Sequence, residues 1–91
     1  RVLFRSIELY PENSIFYDNR ALAQLALEDY EGAIEDFSIS IELYPNDSEV
    51  YYQRALAKLK INKSEDACLD LNVAKELGHP DAKKEIKKSC K

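Results

Sequence analysis

The segment Ser6-Ile7-Glu8-Leu9-Tyr10-Pro11 returns as Ser40-Ile41-Glu42-Leu43-Tyr44-Pro45, 34 residues further along the chain. A sequence that repeats itself at this period folds by stacking copies of one small unit, and its function lies on the surface the stack creates. The register persists well outside the six-residue block. Residues 14–47 align on 48–81 without a gap, pairing Ser14 with Ser48, Tyr17 with Tyr51, Arg20 with Arg54, Ala21 with Ala55 and Leu25 with Leu59. Further on, Glu31 pairs with Glu65, Ala33 with Ala67, Asp36 with Asp70 and Leu43 with Leu77.

Two glycines in 91 residues, with abundant Ala, Leu, Glu and Lys, favour helix throughout. The pattern predicts helices over about 14–27, 30–44, 48–61, 64–77 and 81–89. Asn13 or Ser14 is expected to cap the first of these and Asp47 or Ser48 the third. Ser64 with Glu65 and Asp66 puts negative charge at the positive end of the fourth, and Gly78 stops it. Residues 1–13 read as the second helix of a truncated unit, since Leu3, Ser6, Leu9 and Pro11 align with Phe37, Ser40, Leu43 and Pro45. A first helix is therefore expected to precede Arg1. Without it, Val2, Leu3 and Phe4 would form an apolar patch suited to self-association. Residues 82–91 form a capping helix, with Ala82, Ile86 and Cys90 on one narrow stripe and Lys83, Lys84, Lys87, Lys88 and Lys91 on its solvated face.

Composition also narrows the function. A net charge of −4 argues against nucleic acid as a main partner, and no apolar run reaches the roughly 18–20 residues of a membrane span. His79, the one histidine, sits beside Pro80 as a turn residue, with no second histidine or acid at a metal-ligand spacing. The carboxylates are read as surface groups, and no glycine-rich phosphate loop occurs. The chain is thus read as a non-enzyme without cofactor or metal. Cys68 and Cys90 are expected on facing helices, either as two buried thiols or as a disulfide. A bridge would imply an oxidising compartment; otherwise the cytoplasm is favoured.

The residues that recur belong to a known pattern. The chain resembles the tetratricopeptide repeat, a helix–turn–helix unit of this length, over nearly its whole extent. Counting from Ser14, Tyr17 and Tyr51 take the unit's aromatic position, and Ala21, Ala55, Ala33 and Ala67 take its small positions. Phe37 and Leu71, Ser40 and Ala74, and Pro45 follow. Two departures stand out: Arg20 and Arg54 replace a usual leucine, and His79 stands where the proline falls in the first copy. The resemblance implies an all-α fold, a right-handed superhelical stack of antiparallel helix pairs. Complete units would span 14–47 and 48–81. It also implies a protein–protein interaction module that takes a peptide or helix of a partner in a concave groove lined by the first helices. By resemblance the groove residues are Ile15, Asp18, Asn19, Leu22, Leu25 and Ala26, then Glu49, Tyr52, Gln53, Leu56, Leu59 and Lys60. Some of these leucines are expected to pack between helices, and Tyr52 is the broad anchor.

One subclass of the family grips acidic chaperone tails through a two-carboxylate clamp. Asn19 fits that clamp, but Glu49 and Gln53 stand where it needs lysine and arginine, and a glutamate there repels a carboxylate. The alternatives to peptide binding are a structural or self-association segment of a longer array and, more weakly, RNA binding.

Overall fold

Helix-forming residues run unbroken between short turns, and each segment predicted from 14 onwards is a helix. The computed structural model describes residues 12–90. Five helices follow one another: α1 (Glu12–Ala26), α2 (Tyr30–Leu43), α3 (Ser48–Lys60), α4 (Ser64–Glu76) and α5 (Ala82–Ser89). No strand occurs among the described residues. The half-repeat expected before α1, with its patch at Val2, Leu3 and Phe4, lies outside the described residues, as does Lys91. Helix α1 begins earlier than expected, so Asn13 and Ser14 sit inside its first turn. Ser14 is buried there, and its carbonyl accepts the Ser40 hydroxyl at 3.0 Å.

That bond joins the start of α1 to the end of α2, and Arg20 meets Asp36 half-way along both, so the two helices run antiparallel. Each helix packs on its neighbours in sequence, most extensively within the pairs α1–α2 and α3–α4. The turn that makes this possible recurs. Glu28, Asn62 and Gly78 adopt φ of 62°, 66° and 99°, the left-handed conformation that reverses a chain at a helix end. Behind each of them the next amide reaches back to close the turn. Asp29 N–H donates to the Gln24 carbonyl at 2.8 Å, and Lys63 and His79 make the same bond to Lys58 and Ala74 at 2.9 Å. Glycine adopts this conformation without strain and asparagine tolerates it, so Glu28 is the least suited of the three.

Caps differ between the two pairs. Asp29 accepts the Gly32 N–H at 3.1 Å, and a Cβ at Gly32 would collide with that carboxylate. Asp47 accepts the Glu49 N–H at 3.1 Å, so of the two expected caps for α3 it is Asp47 that acts. Helix α4 has no side-chain cap and relies on Glu65 and Asp66 in its first turn.

Alanines mark where the backbones approach. Ala21, Ala33, Phe37 and Val50 form one buried cluster; Ala55, Ala67 and Leu71 form a second, with Tyr52, Leu59, Ile86 and Cys90 packed against it. Ala55, Ala67 and Leu71 are the residues 34 positions after Ala21, Ala33 and Phe37, so the repeat in sequence is a repeat in packing. Val50 belongs to α3 yet completes the first cluster, which couples the two helix pairs.

The reading of the carboxylates as surface groups is corrected at two positions. Asp36 and Asp70 are not surface carboxylates; they are 4% and 5% exposed. Each accepts a two-pronged contact from the arginine that replaces the usual leucine. Arg20 reaches Asp36 at 2.7 and 3.0 Å, and Arg54 reaches Asp70 at 2.8 and 2.7 Å. Lys58 adds a third contact to Asp70 at 3.0 Å, and Arg54 also donates to the Ser38 hydroxyl across the two pairs. The arginine and the aspartate are one device used twice.

The cysteines are joined. Cys68 and Cys90 form a disulfide with Cα atoms 5.9 Å apart, so the alternative of two free thiols is overturned. It ties the start of α4 to the residue that ends α5.

Candidate functional site

Helices α1 and α3 carry the expected groove residues, and the structure brings only some of them together. Leu25 from α1 meets Gln53, Leu56 and Lys60 from α3 around a shallow depression of about 210 Å³. Tyr30, the first residue of α2, and Ala57 complete its lining. The floor is apolar, from Leu25, Leu56 and Ala57, while Gln53, Lys60 and Tyr30 bring amide, ammonium and phenol groups to its rim. Such a mixture buries an apolar side chain and fixes its backbone by hydrogen bonds. Tyr30 and Ala57 were missed because neither follows the groove spacing of the first helices.

The remaining residues separate into three groups. Ile15 and Leu22 are 57% and 41% exposed, and Asn19 and Ala26 are exposed beside them. They extend an apolar surface along α1. Leu59 packs against the Ala55, Ala67 and Leu71 cluster, which makes it part of the wall between helices. Glu49 and Tyr52 are engaged by the C-terminal turn. The ring of His79 stacks on Tyr52 with centroids 4.1 Å apart and planes 18° from parallel. Its Nδ1 accepts the Asp81 N–H at 3.0 Å, so Nε2 carries the proton and donates to Glu49 Oε1 at 2.7 Å. Glu49 also accepts the Gln53 side-chain amide at 2.6 Å. His79 is a turn residue, as expected, but a buried one, and its ring covers one face of Tyr52.

Charge is unevenly spread along this surface. The Asp18 carboxyl is held above its ordinary range, chiefly by burial and then by the neighbouring charges of Asp47 and Glu49. Burial likewise pushes the Tyr52 phenol up, with Glu85, Asp81 and Glu49 adding to it, so the phenol stays protonated and can donate at neutral pH. One end of the surface is therefore acidic, the centre is apolar, and Lys60 stands at the far end. Among the described residues, no group of His, Cys, Asp and Glu side chains could hold a metal ion, and no helix is long and apolar enough to cross a membrane.

Residues 37–68 match the tetratricopeptide repeat family. The matched stretch starts inside α2, takes in the whole of α3 and ends within α4, and it holds Arg54 and the small residues Ala55 and Ala67. The five helices are consistent with a helical repeat of the tetratricopeptide type. Repeats of this family are generally non-catalytic modules of protein–protein interaction. No curated protein matches the chain.

Proposed function

We propose that the helix pairs form a right-handed superhelical stack whose first helices, α1 and α3, bind a peptide or helix of a partner protein in their concave groove. The observation that carries this reading is the depression between Leu25, Tyr30, Gln53, Leu56, Ala57 and Lys60, which joins an apolar floor to a polar rim across two repeats. Recognition needs no covalent chemistry. A Leu-sized side chain entering the depression contributes roughly 1.5–3 kcal/mol by burial. Gln53 and Lys60 read its surroundings, and Asp18, Asp47 and Glu49 set the preferred charge. With three carboxylates near one end, a neutral or mildly basic apolar peptide binds better than an acidic one. Exposed pairs of this kind contribute about 1 kcal/mol or less, so they set preference more than affinity. Acidic chaperone tails fit poorly, because Glu49 already holds His79 and Gln53 and presents no cation.

A peptide array probed at low and moderate salt tests the charge preference, with Leu22→Glu as the control. Leu22 is 41% exposed, so the substitution spares the core. The wild type is expected to favour neutral and basic apolar peptides, and Leu22→Glu to weaken them about tenfold, or ~1.4 kcal/mol. A preference for acidic tails would overturn the assignment of the groove.

One observation favours the alternative of an assembly segment. Leu69, Val73 and Leu77 lie four residues apart on α4 and its end, and they are 65%, 36% and 39% exposed. This stripe is on a second helix, away from the groove residues, and suits contact with another subunit or with a further part of an array.

A further inference from the structure

Helix α5 is held at both ends by different means. Its start is fixed by the chain itself, through the turn at Gly78 and His79, and its end by the Cys68–Cys90 disulfide. Between these points the attachment is slight: Ala82 is buried, and Ile86 and Cys90 are packed partly against the Ala55, Ala67 and Leu71 cluster. An isolated helix of eight residues does not persist in water. This one also carries two like-charged pairs at four-residue spacing, Lys83 with Lys87 and Lys84 with Lys88, which weaken it further. Both cysteines are only half-buried, so a reductant reaches them. Neither the packing nor the sequence of α5 supplies a second anchor for its far end.

We propose that the Cys68–Cys90 disulfide is a redox latch that keeps α5 closed over the α3–α4 end of the stack. A dithiol reductant attacks one of the two sulfurs through its thiolate, and its second thiol then displaces the mixed disulfide. Two electrons and two protons pass to the pair, leaving Cys68 and Cys90 as thiols and the reductant as its own disulfide. The S–S bond is the only one broken in the protein. Once it is open, α5 melts from its far end back toward the turn at Gly78 and His79, which still holds its start. The surface under it, from Ala55, Leu59 and Leu71 to the edge of Tyr52, is then uncovered. The α1–α2 pair keeps its cluster, and both pairs keep their arginine–aspartate contacts, because none of these includes a cysteine.

Amide hydrogen exchange read by mass spectrometry tests this on the oxidised chain, on the chain reduced with dithiothreitol, and on Cys68→Ala/Cys90→Ala. Alkylation counts the thiols in parallel: none before reduction and two after. Exchange over 82–90 is expected to quicken at least tenfold on reduction, with 21–40 unchanged. The double variant should match the reduced chain with or without dithiothreitol. Three results would overturn the latch: unchanged protection of 82–90 after complete reduction, equal acceleration across all helices, or two alkylatable thiols before any reductant is added.

Discussion

Arg54 and Asp70 show how a single substitution in a repeat is absorbed. Two guanidinium nitrogens face the two carboxylate oxygens, the arrangement that gives an arginine–carboxylate pair both strength and direction. Asp70 is almost wholly removed from water, and Lys58 and Arg54 together compensate that burial. Losing Arg54 leaves one cation where there were two. Arg54→Leu is therefore expected to lower stability by about 2 kcal/mol, less than the loss of a fully buried pair because the Arg54 side chain keeps some contact with solvent. The double variant Arg54→Leu/Asp70→Leu should recover part of that loss, since the buried carboxylate goes with its arginine and only Lys58 is left without that partner. Urea denaturation of the two single variants and the double measures the coupling. Additive losses would show that the pair is not one unit. The equivalent Arg20 is half-exposed, so the same substitution there is expected to matter less.

Asp18 works in the opposite sense. Its carboxyl is raised above the ordinary value of 3.8, so the folded chain holds that proton more tightly than the unfolded one. The protonated form favours folding, and this contribution is present at low pH and lost as pH rises from 3.8 through the raised value. Asp18→Asn is expected to stabilise the chain at neutral pH and to flatten the dependence on pH just above 3.8. Thermal melts across that window check it. An unchanged pH profile would show that Asp18 titrates as a free carboxylate.

At the scale of the helices, the sequence was most legible where one rule governed each choice. The 34-residue register placed the four long helices to within about two residues, because alanines at close crossings and apolar residues facing them leave little freedom. Ala82, Ile86 and Cys90 gave the buried stripe of α5 for the same reason. Helix ends were less legible. Asn13 and Ser14 have good capping side chains, yet both lie inside the first turn of α1. Asp29 escaped notice because its counterpart in the second unit is Lys63, and a repeat-based reading sees only what recurs. Arg20 and Arg54 were visible as departures and Asp36 and Asp70 as matches. Their pairing was not, because sixteen residues separate them and only the antiparallel packing of two helices brings them together. The disulfide was legible as geometry, through the facing positions of Cys68 and Cys90, but the bond itself is a matter of oxidation that spacing does not express.

Over the whole molecule, the two surfaces that compete for a partner point to different elements. The proposed groove joins α1 to α3 through Leu25, Gln53, Leu56 and Lys60, while the stripe of Leu69, Val73 and Leu77 belongs to α4 and its end. His79 engages Tyr52 and Glu49, and the depression between the helices is lined instead by residues that include Tyr30 and Lys60. The sequence pointed to a broader groove of twelve residues because the family pattern counts positions along a helix and does not see what the next turn places over them. An NMR titration of the oxidised chain with a neutral or mildly basic apolar peptide tests the groove most directly. Saturable shift changes are expected at Leu25, Tyr30, Gln53, Leu56 and Lys60, with α4 unmoved. Changes confined to Leu69, Val73 and Leu77, with those five residues silent, would contradict it.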